Sequence, residues 1–261
     1  MENVTIKNSF HGIYLSQSHG NTIIANNVTG LQNGEIAGQG NGLHLYYSND
    51  NTLSQNTIIG TRDGMFFDYS NHNNMENNDI SHTRYGLHLM YSNENEFTNN
   101  QFSYNIAGAA IMFSYENKLS YNEFSLNQGS RSFGLLLQAS DDNIVEHNLI
   151  LQNLRGIYLD QSNDNRIAHN RLIQNQIGVE IWSSSAGQTF TENEFQKNVT
   201  NVLSAGGQSQ NNWSENGKGN YWGANHPILD LDQDGIGDNP HEESSALVHL
   251  VEEQELTSLF L

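Results

Sequence analysis

The chain has 261 residues, with 10 Lys+Arg against 29 Asp+Glu and a formal net charge of −19. So acidic a surface is a poor binder of nucleic acid or anionic lipid and a plausible neighbour for cations. Cysteine is absent, which excludes disulfides, thiolate metal sites and thiol nucleophiles, and no apolar stretch approaches the ~20 residues of a membrane span.

Met1 opens directly into repeat sequence (Asn3, Ile6, Asn8) with no basic or apolar leader. Solenoids normally need a capped end, so the natural protein is expected to be longer at its N-terminus. From Gly12 onward one glycine recurs, at Gly42, Gly64, Gly86, Gly108, Gly134, Gly156 and Gly178, and five of the steps are 22 residues. A fixed period of this size marks a stacked solenoid whose repeats bury their faces against one another. The first and third residues after each glycine are mostly aliphatic, as in Leu43/Leu45, Leu87/Leu89 and Ile157/Leu159. Alternation over so few residues predicts strands.

Other rows follow the same beat. Six residues after the glycine stands serine, from Ser18 and Ser48 to Ser162 and Ser184. Asparagine recurs nine after, as at Asn51, Asn73 and Asn95, and fourteen after, as at Asn56, Asn78 and Asn100. Asparagine tolerates left-handed backbone angles and is expected to form the corners, bonding its counterpart in the next coil. The fold expected is all-β, a right-handed parallel β-helix of about nine coils over residues 1–212. Two steps are longer, 30 residues from Gly12 to Gly42 and 26 from Gly108 to Gly134. They predict loops near Gly30–Gly40 and Gln128–Arg131 that project from one edge.

Residues two and four after the glycine should face outward. In the middle coils this face reads His44/Tyr46, Phe66/Asp68, His88/Met90 and Ala110/Met112. Adjacent coils lie about 4.8 Å apart, so Met90 and Met112 should sit one above the other, with Asp68 a coil below Met90 and His44 two coils below His88. Thioethers with imidazole nearby form a soft-to-borderline ligand set that favours copper, particularly Cu(I), over magnesium or calcium. His88, Met90, Met112, His44 and Asp68 are therefore the copper candidates, and Tyr46 and Phe66 are candidates for a partner interface, since exposed apolar clusters mark such surfaces. Methionine is also an adaptable apolar filler, so a purely structural patch is the alternative. A carbohydrate-acting enzyme would need paired acids. Asp68 and Asp160 lie four coil steps apart, roughly 19 Å, which leaves Asp63 with Arg62 as the remaining candidate. A passive adhesin-like solenoid is a third reading.

After Asn198 the beat fades. Asn220, Tyr221 and Trp222 are expected to help cap the last coil, within a capping segment spanning 213–243. Asp230, Asp232, Asp234 and Asp238 alternate around Gly235, the pattern of a calcium loop, although His241 stands where an EF-hand has its bidentate glutamate. Residues 244–261 place Leu247, Leu250, Val251, Leu256 and Leu259 on one face and predict an amphipathic helix with a serine start. It is expected to continue beyond Leu261 and to dock on a membrane partner.

The stretch TRYGLHLMYSNEN (Thr83 to Asn95), GAAIMFSYEN one coil later (Gly108 to Asn117) and the tail GNYWGANHPILDLDQDGIGDNP (Gly219 to Pro240) resemble the NosD family. The resemblance runs from Gly12 onward, and its specific part lies in the two histidine/methionine coils and the tail. It implies a non-enzymatic, periplasmic β-helix protein that delivers copper, as Cu(I) or Cu(II), during maturation of nitrous-oxide reductase. The partners it implies are the NosF and NosY proteins of a membrane ABC transporter, a copper chaperone and apo nitrous-oxide reductase. It also implies an export signal, consistent with the expectation that the natural protein is longer at its N-terminus.

Overall fold

A computed structural model describes residues 1–31, 36–207 and 209–223. The described residues form an all-β parallel solenoid of the right-handed type, with about nine turns. Among the described residues the strands form three parallel sheets, two of nine strands and one of eight. Each strand pairs with its counterparts one coil before and one coil after. Tyr85–Met90, for example, lies between Asp63–Asp68 and Ala107–Met112. Every sheet neighbour is thus about one repeat away in sequence, which is why a strict 22-residue beat sets the register.

The inward rows build a continuous core in which Leu43, Leu45, Met65, Phe67, Leu87, Leu89, Phe97, Phe102, Ile111 and Phe124 are fully buried. The recurring glycine is needed because coils touch there. A Cβ at Gly86 would lie 2.6 Å from the carbonyl oxygen of Gly108 and 2.8 Å from the Phe102 ring. Any side chain would push the coils apart.

The asparagine rows form ladders, as expected. Asn78 Nδ2 donates to Asn100 Oδ1 at 2.9 Å, and Asn100 Nδ2 to Asn122 Oδ1 at 3.0 Å. These amides are at most 2% exposed, so an unmet partner would cost about 1–3 kcal/mol. The expectation that asparagine itself takes the left-handed corner is corrected. The residue just before each ladder asparagine does so, as at Gln55 (φ 55°), Asn77 (φ 55°), Asn99 (φ 55°) and Tyr121 (φ 57°). That turn aims the following amide inward, where its paired donors and acceptor, rather than its φ tolerance, are what the fold uses. A further ladder, outside the two rows read from the sequence, runs through Asn105, Asn127, Asn153 and Asn175. The serine row also shifts at its end. Ser162 N donates to Ser185 Oγ, not to Ser184, because the last step has one extra residue.

Ile36–Gly38 forms a 3-10 turn in the first long step, and Ser132 N donates back to the Gly129 carbonyl in the second. At the far end Trp213 stacks on Phe190 at 4.4 Å and Trp222 on Phe195 at 4.6 Å. Asn220 extends an asparagine ladder, accepting from Asn193 Nδ2 at 2.9 Å. The calcium-loop candidates Asp230, Asp232, Asp234 and Asp238, and the helix expected over 244–261, lie outside the described residues.

Candidate metal site on the outer face

The outward rows lie in the expected order. Met90 and Met112 are direct register partners, Asp68 pairs with Met90 from the coil below, and Gln138 pairs with Met112 from the coil above. Both methionines are half-buried. Met112 packs against a small apolar cluster outside the main core, formed by Ala107, Ala110, Phe133 and Leu136 with Tyr85 and Tyr158 at its edges.

His88 departs from a water-facing position, being only 8% exposed. Its ring stacks on Phe66 at 4.6 Å and meets the edge of Tyr85 at 5.1 Å. Bulky neighbours on adjoining rows roof over an outward side chain that would otherwise be solvated. Beneath that roof His88 Nδ1 lies 3.1 Å from Asp63 Oδ2. Asp63 is 2% exposed and accepts two further bonds from Arg84, Nε to Oδ1 at 2.8 Å and Nη2 to Oδ2 at 2.7 Å. The Arg84 guanidinium covers the Tyr85 ring at 4.5 Å. Burial alone would raise the Asp63 carboxyl, but the bonds and charges of His88 and Arg84 hold it below the usual carboxylate range. The pairing of Asp63 with Arg62 is thereby corrected: Arg62 is exposed, and the partner comes from the next coil.

The other nitrogen of His88, Nε2, is buried with no hydrogen-bond partner, and so is His44 Nε2. The Phe66 ring is wedged between the two imidazoles, 4.7 Å from His44 and 4.6 Å from His88, so the histidines do not converge on one ion. Tyr14 packs edge-on against His44 at 4.7 Å. Burial, reinforced by His11, lowers the His44 pKa to about 4, which keeps it neutral. Asp68 is shifted the other way: burial raises its carboxyl against the opposing pull of His88. Tyr46 packs edge-on against Tyr47 at 4.7 Å. Tyr47 in turn begins an exposed stack with Tyr69, Tyr91 and Phe113 at spacings of 4.8, 4.8 and 5.1 Å.

Among the described residues no group of three or more His, Cys, Asp or Glu side chains could hold a metal ion. A site here must therefore draw on thioether sulfur. One imidazole with a free nitrogen, on the same strand as Met90 and a coil from Met112, is a soft set with few ligands, which suits Cu(I) better than a hard cation. The alternating pattern pointed to His88, Met90, Met112, His44 and Asp68 but missed Asp63 and Arg84 as partners of the site. The available signal was a lone carboxylate immediately before the glycine, at Asp63, where neighbouring coils carry Asn41, Tyr85 and Ala107.

A family model described as "Periplasmic copper-binding protein (NosD)" matches residues 31–226. No curated protein matches the sequence. The structure is similar to the A-module of the mannuronan C-5 epimerase AlgE4 of Azotobacter vinelandii, with a TM-score of 0.63 at 13% identity over 77% of this chain and 60% of that one. A double mutant of the periplasmic alginate epimerase AlgG gives 0.61 at 17% identity over 77% and 49%. Full-length tailspike protein 2 of an Escherichia coli O157:H7 bacteriophage gives 0.58 at 13% identity over 85% and 37%. The chain therefore spans 60% or less of each of these proteins, and at such identities the likeness shows the fold.

Proposed function

We propose, because the chain belongs to the NosD family of periplasmic copper-binding proteins, that it binds copper and passes it on during maturation of nitrous-oxide reductase. In this reading it works in the periplasm and is not an enzyme. It takes copper from a chaperone, acts beside a NosF/NosY-like membrane transporter, and gives the metal to apo nitrous-oxide reductase. Copper is cargo, so a site with few, soft ligands is what release requires. The observation that carries the reading is the partnerless, buried Nε2 of His88 on the same strand as Met90, with Met112 in register one coil above. Such an atom in a polar, aromatic-walled position calls for a ligand.

A carbohydrate-acting site is disfavoured on this face. Asp68 and Asp160 are separated by the register partners Met90, Met112 and Gln138. Asp63 is 2% exposed and engaged by Arg84 and His88, so it is not presented to a sugar.

Competition titration of Cu(I) against wild type and Met90→Leu/Met112→Leu tests the copper reading. The swaps conserve volume, and each should cost less than about 1.5 kcal/mol of stability, so the variant remains folded. Its affinity should fall at least about tenfold, near 1.4 kcal/mol. Equal affinity removes the methionines from the site, and a wild type that takes up no copper removes the reading itself.

A further inference from the structure

We propose that Asp63 is the positioning residue of this site: by accepting the Nδ1 proton of His88 it holds the imidazole in the tautomer whose Nε2 lone pair is free to take copper. The function assigned to that lone pair rests on the copper reading. The tautomer is a property of the metal-free protein.

An ionised carboxylate only accepts hydrogen bonds. The 3.1 Å contact between Asp63 Oδ2 and His88 Nδ1 therefore requires the proton on Nδ1, and a neutral ring then has none on Nε2. A carboxylate behind a histidine is the usual means of fixing ring orientation and raising the basicity of the outer nitrogen. The other contacts agree with that role. Phe66 and Tyr85 pin the ring plane. Arg84 grips both carboxylate oxygens, keeping Asp63 ionised and preventing it from swinging outward to become a ligand. His44 lacks this support. Its Nδ1 faces the Asn41 amide nitrogen at 3.4 Å, an orientation in which the amide donates and the ring proton stays on Nε2, where it blocks coordination. Of the two imidazoles in one column, His88 buried and His44 half-buried, only His88 is prepared to bind metal.

Asp63→Leu tests this with little change of size. Arg84 bonds both carboxylate oxygens and shares Oδ2 with His88, so an amide there could still accept from Nδ1, whereas leucine cannot. With no acceptor at Nδ1 the neutral ring reverts to its intrinsically favoured form, with the proton on Nε2, and the Arg84 side chain, 31% exposed, turns to solvent. The ring 15N shifts of metal-free protein at about pH 8, above the ordinary imidazole range, report the tautomer, with the His88 signals identified by their loss in His88→Asn. Wild type should show the proton on Nδ1 and Asp63→Leu on Nε2, and Cu(I) affinity should fall roughly 10–100-fold in the variant. A wild-type spectrum with the proton on Nε2 overturns the proposal whether or not copper binds, and that measurement does not depend on the Asp63 variant folding. The expected tautomer switch with unchanged Cu(I) affinity also overturns it, because copper would then not use His88. Failure of the copper reading as a whole is separately visible as no Cu(I) uptake by wild type.

Discussion

Two buried carboxylates lie on the outer face of one sheet, Asp63 in an early coil and Glu180 in a late one. Each is paired with an arginine, Arg84 or Arg155, and each lies among aromatic rings. Glu180 is 1% exposed and also accepts from the Trp182 indole at 3.1 Å. Nearby Tyr158 has its hydroxyl pushed up to about 12 by burial and by the charges of Glu180 and Asp160, so it stays neutral. The two clusters differ in the third partner. An indole has a single N–H, and once that is donated nothing remains. An imidazole that donates one nitrogen still presents another. With similar carboxylate–arginine chemistry, the late cluster ends on an indole whose N–H is donated, and the early one leaves an unused nitrogen on the strand of Met90, with Met112 in register one coil above. Buried ion pairs contribute little net stability, so neither cluster is explained by stability alone. In the copper reading, the unused nitrogen sets the early one apart from the late one.

The largest effect is expected at Glu180. Glu180→Ala leaves the largely buried Arg155 without its carboxylate and should cost about 3–5 kcal/mol, read as a lower midpoint in urea or heat denaturation. Cu(I) affinity, measured well below the unfolding transition, should stay at the wild-type value. A parallel loss of copper would mean that the two clusters form one functional unit. The next effect separates the two histidines. His88→Asn should weaken Cu(I) at least about tenfold, or 1.4 kcal/mol, whereas His44→Asn should leave the affinity close to that of wild type. The reverse order in the same competition assay would move the site to the other side of Phe66.

The periodic part of this was legible in the sequence. Met90 over Met112 and Asp68 beneath Met90 follow from counting residues, because every strand pairs with its own repeat and a 22-residue step preserves the row. What counting could not supply was depth. His88 was expected to face water, but the rings of Phe66 and Tyr85 cover it, and side-chain reach across rows is not a periodic property. The Asp63–His88 contact joins a residue just before one glycine to a residue after the next, 25 positions on. That diagonal is invisible when rows are read one at a time. The corners were misassigned for a related reason. The left-handed angle falls on Gln55, Asn77 or Tyr121, residues with no common chemistry, so the asparagine that follows carried the visible signal for a turn made by its neighbour.

A pH dependence of stability distinguishes His44 from its surroundings. Its pKa is about 4 in the folded protein against 6.5 for a free ring, chiefly because burial disfavours the charged form. Between those values the unfolded chain binds more protons than the folded one, so stability falls as the pH drops from 6.5 toward 4 and is independent of this group above 6.5. Partial exposure screens the effect, leaving about 1–2 kcal/mol of the full shift. Asp63 responds the other way round in charge but with the same trend in stability. Its carboxyl lies below the usual range in the folded state, so its contribution is lost only as the pH falls through that depressed value, beneath most of the His44 window. Denaturant midpoints of wild type and His44→Gln, compared from pH 4 to 7, should therefore differ by an amount that grows in favour of wild type up to about 6.5 and then levels off. A constant difference across that range would show that His44 titrates like a free imidazole. Phe66, Tyr14 and His11 would then not enclose it, and the contrast drawn between the two histidines would rest on Asp63 alone.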